Sequence, residues 1–189
     1  MRDGPPGSLE AVEEACLSAL TRAVHDKRSP LKWPVMATSS GAGGADARIV
    51  VLRGFDRAAR RAEVWSDRRS QKVSDLTANP DAALLFFDRS KMVQIRARGR
   101  AQLLSSGAHW EAAFARASNA KLDDYTTQAA PGAALTGDEV VHDERLAAAN
   151  FTVIQISVET ADWLQLSREG HRRALLDWRN GAAHSWRVP

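Results

Sequence analysis

The sequence predicts an α+β protein, mainly β, in which antiparallel strands form a barrel and a few helices flank it. Three observations lead to this prediction. Six to eight short segments have the pattern of strands, helices are few, and the two do not alternate as in a parallel βαβ sheet. The strands are also strongly apolar, and closure into a barrel removes the exposed edges that they would otherwise present. A length of 189 residues fits one domain, 1–189.

The helices are predicted from apolar spacing and from residues that start and stop helices. Ser8 is a suitable N-cap, and apolar residues recur at helical spacing over 9–25, so that 8–27 is expected to form a helix packed on the barrel. Ser70 is expected to cap a short helix over 70–79, which Asn79-Pro80 ends. Further helices are expected at 106–118 and near 143–149, with 119–142 mostly loop.

The strands are predicted from short apolar or alternating runs between turn residues. The candidate segments, of which six to eight are expected to be strands, are 33–39, 48–55, 62–66, 82–88, 92–104, 151–158, 163–166, 173–178 and 184–188. In 92–104 the odd-numbered residues from Val93 to Leu103 form one face, and the polar residues from Gln94 to Gln102 form the other. Segments 33–104 and 151–189 are therefore the barrel strands, and 105–150 is a helical and loop insertion.

Several classes of function are excluded or made improbable by what the sequence lacks. Cys16 is the single cysteine, which excludes an intrachain disulfide and cysteine-based metal clusters. The five histidines are isolated and lack ligand spacing, so no metal site is expected. A G-x-S-x-G nucleophile motif is absent. No apolar run is long enough for a membrane helix, and no secretory signal pattern is seen, so a cytoplasmic protein is expected.

The basic residues are dominated by arginine. The chain has 21 Arg and 5 Lys, with a formal net charge of +3. Arginine binds planar anions well, so phosphate ligands and nucleic acid are both candidates. One strand carries the basic face Arg96, Arg98 and Arg100, but it has no interleaved aromatic residues for base stacking. A nucleic-acid-binding barrel is therefore the less favoured interpretation, and we expect no nucleic acid partner.

A phosphate site is predicted around the start of the helix at 70–79. Ser66, Ser70 and Lys72 lie near a helix N-terminus, whose free N–H groups and positive dipole favour an anion, and Arg48 begins a buried strand. The alternative interpretation is an ordinary serine cap beside a surface lysine.

A larger pattern joins these residues. It consists of RIVVLRGFD (48–56), VWSDRRSQKVSDLTANPDAALLFF (64–87) and VQIRARGRA (93–101), with looser support from ADWLQL, HRRA and WRVP in the tail. The pattern resembles the pyridoxamine 5'-phosphate oxidase-like proteins over 33–104, and more loosely over 151–189. The resemblance implies a split β-barrel of Greek-key type that binds FMN at the interface of a homodimer.

The resemblance also implies a role for each matching residue. Arg48 and Lys72 would hold the FMN phosphate with Ser66, and Gln94 would bond to the pyrimidine edge of the flavin. Trp163 and Arg173 would come from the second subunit, although Arg172 competes with Arg173 for this role. The full set of implied cofactor-binding residues is Arg48, Ile49, Val50, Val51, Trp65, Ser66, Ser70, Gln71, Lys72, Gln94, Trp163 and Arg173. Trp65 and Trp163 have an alternative interpretation as plain core or interface residues.

The chain departs from the oxidases of this family at several positions. Gln71 replaces an arginine that would contact phosphate, and Glu169 stands where a substrate-binding arginine is expected. A glutamate there would repel a phosphorylated substrate. Arg53 and His171 are the implied substrate contacts by position. The sequence therefore favours a divergent, oxidase-related branch over the oxidase itself.

Two functions remain open from the sequence. The first is an FMN-dependent oxidoreductase that transfers a hydride between FMN and a small molecule, with no catalytic residue assigned. The second is a module that binds FMN or another phosphorylated ligand without turnover.

Overall fold

The computed structural model describes residues 6–41, 43–120, 122–135 and 137–189. Residues 1–5, 42, 121 and 136 lie outside the described residues, the last two within the predicted loop 119–142. The helices are α1 (Leu9–His25), α2 (Gln71–Ala78), α3 (Ala108–Ser118) and α4 (Ala147–Asn150). Short 3-10 helices cover Pro30–Lys32, Asp123–Tyr125 and Glu144–Leu146.

Nine strands form one antiparallel sheet. They are β1 (Val35–Ser39), β2 (Ala45–Ile49), β3 (Leu52–Asp56), β4 (Arg61–Asp67), β5 (Asp81–Asp88), β6 (Val93–Leu104), β7 (Phe151–Gln165), β8 (Arg172–Asp177) and β9 (Ser185–Arg187). The order is β2-β1-β5-β6-β7-β4-β3, and β8 and β9 continue from β7. The ends of this path do not pair with each other, so the barrel is split and not closed. The predicted split-barrel class is confirmed.

The predicted strand 48–55 is wrong, because it is two strands separated by Val50 and Val51. β2 pairs with β1 and β3 pairs with β4, so the chain crosses here from one end of the sheet to the other. The Val50 N–H donates to the Pro34 carbonyl at 2.9 Å, which fixes the crossing. Both sides of the break are apolar, which is why the sequence pattern shows a single strand.

The predicted strands 151–158 and 163–166 are one continuous strand, β7. The register of β6 against β7 shifts between Arg98 and Gly99. A Cβ added at Gly99 would lie 1.9 Å from the Ser157 carbonyl oxygen. Glycine is therefore required at position 99, because β6 and β7 approach each other closely where their register shifts, beside Glu159 and Thr160.

Two apolar clusters hold the fold together. The larger lies inside the barrel, and the buried face of α1 joins it through Val12, Cys16, Leu20 and Ala23. Ser8 caps α1 as predicted, since its Oγ accepts the Ala11 N–H at 3.2 Å. The smaller cluster lies between α3 and the start of β7, and the fully buried Phe151 is at its centre.

Candidate functional site

Arg48 anchors a polar cluster between β1, β2 and α2. Its guanidinium donates to Thr38 Oγ1 at 2.8 Å and lies 3.7 Å from the Asp75 carboxylate. It also pairs with Asp46 on its own strand. Thr38 in turn donates to Asp75 at 2.7 Å. Arg48 is thus held by a buried acid from α2, and it has a fixed position at the end of the barrel.

Asp75 is kept ionised by its neighbours. Gln71 Nε2 donates to it at 2.9 Å, and together with the Thr38 bond and the Arg48 charge this lowers the pKa of Asp75 below its usual value. The predicted cofactor residue Gln71 therefore has a bond to Asp75, one turn along the same helix. In this structure its side chain orients the acid that positions Arg48.

Lys72 is a largely desolvated cation. Its Nζ donates to Ser66 Oγ at 3.2 Å, and Ser66 Oγ lies 3.0 Å from Ser70 Oγ. Burial lowers the pKa of Lys72, and the nearby positive charge of Arg48 lowers it further. Within the described part of the chain, no carboxylate lies at ion-pair distance from Lys72.

Ser70 precedes α2, but its side chain does not cap the helix as the sequence predicts. Its hydroxyl is buried and turned toward Ser66 instead. The Ser70 side chain therefore satisfies none of the first N–H groups of α2, although its carbonyl accepts the Val73 N–H at 3.0 Å.

These features fit a phosphate group. A phosphate is held by charged donors and hydroxyls, and the cluster of Arg48, Ser66, Ser70 and Lys72 provides both. Two cations that repel each other, one of them desolvated, are stabilised by a bound anion. We call these four residues the phosphate cluster.

The crossing between β2 and β3 lies directly after Arg48. Ile49 is 68% exposed, Val50 is buried and Val51 is half-buried. Val50 and Val51 belong to neither strand, so the backbone leaves the ladder at two of the residues that the resemblance implies bind the cofactor.

Gln94 and Arg173 lie on the outer face of the sheet, which is the face turned away from the barrel core. Gln94 is paired with Leu164, and Leu164 with Arg173, so the two predicted residues share one row across the strands. In the next row Asp162 accepts from Arg173 at 2.7 Å and also from Arg96. Burial favours a higher pKa for Asp162, but the two guanidiniums outweigh it and lower that pKa. Arg172 lies on the opposite side, where it donates to the Pro6 carbonyl.

The two predicted tryptophans have separate environments. Trp163 is 2% exposed and packs in the barrel core, opposite Ile95 and Ala174. This position agrees with the alternative interpretation as a core residue and leaves no exposed ring face for a cofactor held by a partner subunit. Trp65 alternates with Ser66 along β4, so its side chain lies on the opposite face from the phosphate cluster.

The implied substrate residues are not brought together by any contact between described residues. Arg53 lies on β3, with its guanidinium 4.8 Å from the centre of the Trp65 ring. His171 is exposed in the turn before β8, where its Nδ1 accepts the Ser167 N–H at 3.2 Å.

A buried acid that the sequence did not single out lies beside Trp65. Glu63 accepts hydrogen bonds from Trp65 Nε1 at 2.8 Å and from Arg116 at 2.7 Å. Its second oxygen lies 2.6 Å from His109 Nε2. Burial favours a higher pKa for Glu63, but the bonds from Trp65 and His109 and the charge of Arg116 outweigh it and lower that pKa. We call Glu63, Trp65, His109 and Arg116 the Glu63 cluster.

The described residues include neither a cluster of metal ligands nor a helix that could span a membrane. No group of three or more His, Cys, Asp or Glu side chains converges in a way that could hold a metal ion. None of the helices described is both long enough and apolar enough to cross a membrane.

Comparison with known sequences identifies the first half of the chain. Residues 14–105 match the model of the pyridoxamine 5'-phosphate oxidase FMN-binding domain. The chain is 39% identical over 71 residues to a pyridoxine/pyridoxamine 5'-phosphate oxidase of Bordetella petrii, covering 38% of this chain and 33% of that protein. It is 44% identical over 64 residues to the protein of the same name from Nitrobacter winogradskyi, covering 34% and 29%. The similarity thus spans about a third of the length of these relatives.

Comparison with solved structures covers nearly the whole chain and supports the fold. A pyridoxamine 5'-phosphate oxidase-related, FMN-binding protein from Nostoc punctiforme aligns with a TM-score of 0.71 at 20% identity, covering 93% of this chain and 96% of that one. PhzG from Burkholderia lata, solved with tetrahydrophenazine-1-carboxylic acid, aligns with a TM-score of 0.70 at 19% identity, covering 99% and 95%. The sequence match over residues 14–105 and the fold of nearly the whole chain together support a pyridoxamine 5'-phosphate oxidase-like family of FMN-binding proteins, with FMN as the cofactor.

Proposed function

We propose that the protein is an FMN-dependent oxidoreductase that acts as a homodimer on a small molecule. The observation that carries the proposal is Lys72, a desolvated cation beside Arg48 and two serine hydroxyls. These four side chains suit a phosphate group. Because the charge of Lys72 is buried and not on an open surface, the phosphate of a larger bound molecule fits the site. FMN, when bound, supplies the chemistry of hydride acceptance and donation.

The residues of the chain bind and orient in this proposal. Arg48, Ser66, Ser70 and Lys72 hold the phosphate, and the backbone at Val50 and Val51 lines the ring. Gln94 is held on the outer face in the same row as Arg173, where its amide can bond to a heteroatom edge. Arg53, stacked on Trp65, and His171 are the proposed substrate contacts. No side chain of this chain is proposed as a covalent nucleophile.

The homodimer is proposed from the outer face of the sheet. Ile49, Val35 and Leu85 are neighbours across β2, β1 and β5, and Phe87 lies two residues from Leu85. Ile49 is 68% exposed and Phe87 is 43% exposed. Apolar neighbours of this kind mark an interaction surface, and Gln94 and Arg173 lie on the same face. A second copy seated there would bring its own residues to the cofactor.

Activity on pyridoxamine 5'-phosphate itself is not part of the proposal. Glu169 is exposed in the turn before β8, next to His171. A carboxylate at this place repels a substrate phosphate. The solved structure of PhzG shows that a protein of this fold can hold a ring that bears a carboxylate, and a non-phosphorylated substrate of that kind fits the present chain better.

The test has two stages. The purified protein, incubated with FMN and desalted, should retain flavin and show its visible absorption. Anaerobic NADH or NADPH should then bleach the flavin band, and an oxidised small molecule should restore it. A K72M variant is the control for specific binding, and K91M, at an exposed lysine, is the matched variant that should behave as wild type. Flavin that is retained but inert toward both nucleotides would support the binding module, and protein that retains no flavin would contradict both functions.

A further inference from the structure

Glu63 is a buried carboxylate that is shared among three donors. Its side chain is 7% exposed, and it accepts from the Trp65 indole, from Arg116 and from His109. Its closest donors therefore come from its own strand β4 and from α3. A charge buried in this way is retained only where its partners are fixed, so the acid is a permanent part of this surface.

The surface beside Glu63 is open to solvent. The side chains of Arg116 and His109 are 53% and 49% exposed. Arg116 also lies against the Trp65 ring, with its guanidinium 5.3 Å from the ring centre, and Arg53 lies against the same ring. A flat aromatic side chain is thus flanked by two guanidiniums, and an anion with a planar body can reach both.

The charge of this surface is lower than its two arginines suggest. Arg53 has no ion pair with any residue that the structure describes, and it keeps its full charge. Arg116 is paired with Glu63, and its charge is offset.

We propose that Glu63 sets the charge preference of this surface, so that it takes a small planar carboxylic acid and discriminates against a phosphate monoester. The inference rests on the proposed function, because it takes Arg53 as a substrate contact. A carboxylate carries one negative charge, which Arg53 matches. A phosphate monoester carries close to two at neutral pH, and the second charge is repelled by the Glu63 carboxylate. Glu63 acts through Arg116 and is a positioning residue.

The experiment compares two probes that share a ring and differ in the anionic group, benzoate and phenyl phosphate. Binding to the FMN-loaded protein is measured by calorimetry at pH about 7.5, where phenyl phosphate is mostly a dianion. We expect wild type to prefer benzoate. E63Q should raise the affinity for phenyl phosphate about tenfold and that for benzoate less than about threefold, since the added charge acts on the second phosphate charge. E111Q is the matched control: Glu111 is an exposed acid on α3, the helix that carries His109 and Arg116, and its substitution should change neither affinity.

A pair of further variants isolates the charge of Glu63 from its effect on folding. R116Q should weaken phenyl phosphate more than benzoate. The double variant E63Q/R116Q removes both partners of the pair, which proteins tolerate better than removing one. It should return the ratio of the two affinities to the wild-type value. The comparison of R116Q with E63Q/R116Q therefore tests Glu63 even if E63Q alone fails to fold.

Three outcomes would overturn the inference. These are a wild-type preference for phenyl phosphate, an equal change for both probes in E63Q, and a ratio that does not return in the double variant. Flavin content and reduction by NADPH are recorded on the same samples. A protein whose flavin is not reduced but which shows the charge-dependent preference contradicts the oxidoreductase and supports the inference. A protein whose flavin is reduced but which shows no such preference supports the oxidoreductase and contradicts the inference.

Discussion

The two faces of β4 differ in whether a buried charge has partners within the protein. On one face Ser66 accepts from Lys72, a cation that no described carboxylate pairs with at ion-pair distance. On the other face, a few residues earlier, Glu63 is an acid with three donors. The first arrangement leaves a charge for a ligand to satisfy, and the second satisfies its charge within the protein. Alternation along one strand is what allows both within a few residues.

Because of this difference, Lys72 is expected to affect ligand binding and Glu63 to affect the stability of the fold. A buried cation without an ion-pair partner does not stabilise the folded protein by itself. It contributes favourable free energy only when an anion is bound. A carboxylate with all its partners contributes in the ligand-free protein. Substitutions on the two faces should therefore have opposite signatures, and the following predictions use this contrast.

Lys72→Met should have the largest effect, and the effect should be on FMN binding. Loss of one charged hydrogen bond to the phosphate costs about 2–3 kcal/mol, which lowers the affinity for FMN about 30- to 150-fold. The free energy of unfolding of the FMN-free protein should be unchanged or raised, because a desolvated charge is removed. Fluorescence titration with FMN and urea denaturation measure the two quantities. A variant that loses stability and keeps its FMN affinity would show that Lys72 is a structural residue.

Glu63→Gln should have the second largest effect, and the effect should be on stability. Leaving Arg116, His109 and Trp65 with weakened or missing bonds costs about 1–3 kcal/mol at neutral pH. The affinity for FMN should change less than about threefold, because Glu63 lies on the face of β4 away from Ser66.

The loss of unfolding free energy in E63Q should also depend on pH. The pKa of Glu63 is lowered in the folded protein, so the unfolded chain binds its proton first as the pH falls. The contribution of Glu63 is thus fully present above its ordinary value of 4.5, and it is lost as the pH falls through the lowered value in the folded state. The difference in unfolding free energy between wild type and E63Q should shrink toward acid pH. A difference that stays constant from pH about 7 to the acid limit would contradict the charged role of Glu63.

The sequence predicts the fold class well, and it predicts a phosphate cluster whose residues are mostly close in the chain. Alternation in β6 and a continuous apolar run in β5 are local signals. Ser66, Ser70 and Lys72 are close in the chain, so spacing alone brings them together. Asp75 could have been found as well, since an acid three or four residues after Gln71 and Lys72 lies on the same helix face.

The remainder depends on contacts between distant segments. The break at Val50 and Val51 follows from which strands β2 and β3 pair with, and an apolar run does not show this. Glu63 looks like an outward-facing strand residue in the sequence. It is buried because His109 and Arg116, more than forty residues later, cover it with α3. Trp163 resembles a ligand contact by motif, but its parity along β7 places it in the core.

Two serines that precede helices provide the smallest and most specific contrast. Ser8 accepts the Ala11 N–H and caps α1, whereas Ser70 turns its hydroxyl to Ser66 and makes no cap bond to α2. S8A should therefore lower the free energy of unfolding by about 1 kcal/mol and leave FMN binding unchanged. S70A should change stability by less than about 0.5 kcal/mol and lower the affinity for FMN about fivefold, the value of one neutral hydrogen bond. If both variants lose the same stability and bind FMN equally, Ser70 is a cap and the phosphate cluster has one member fewer.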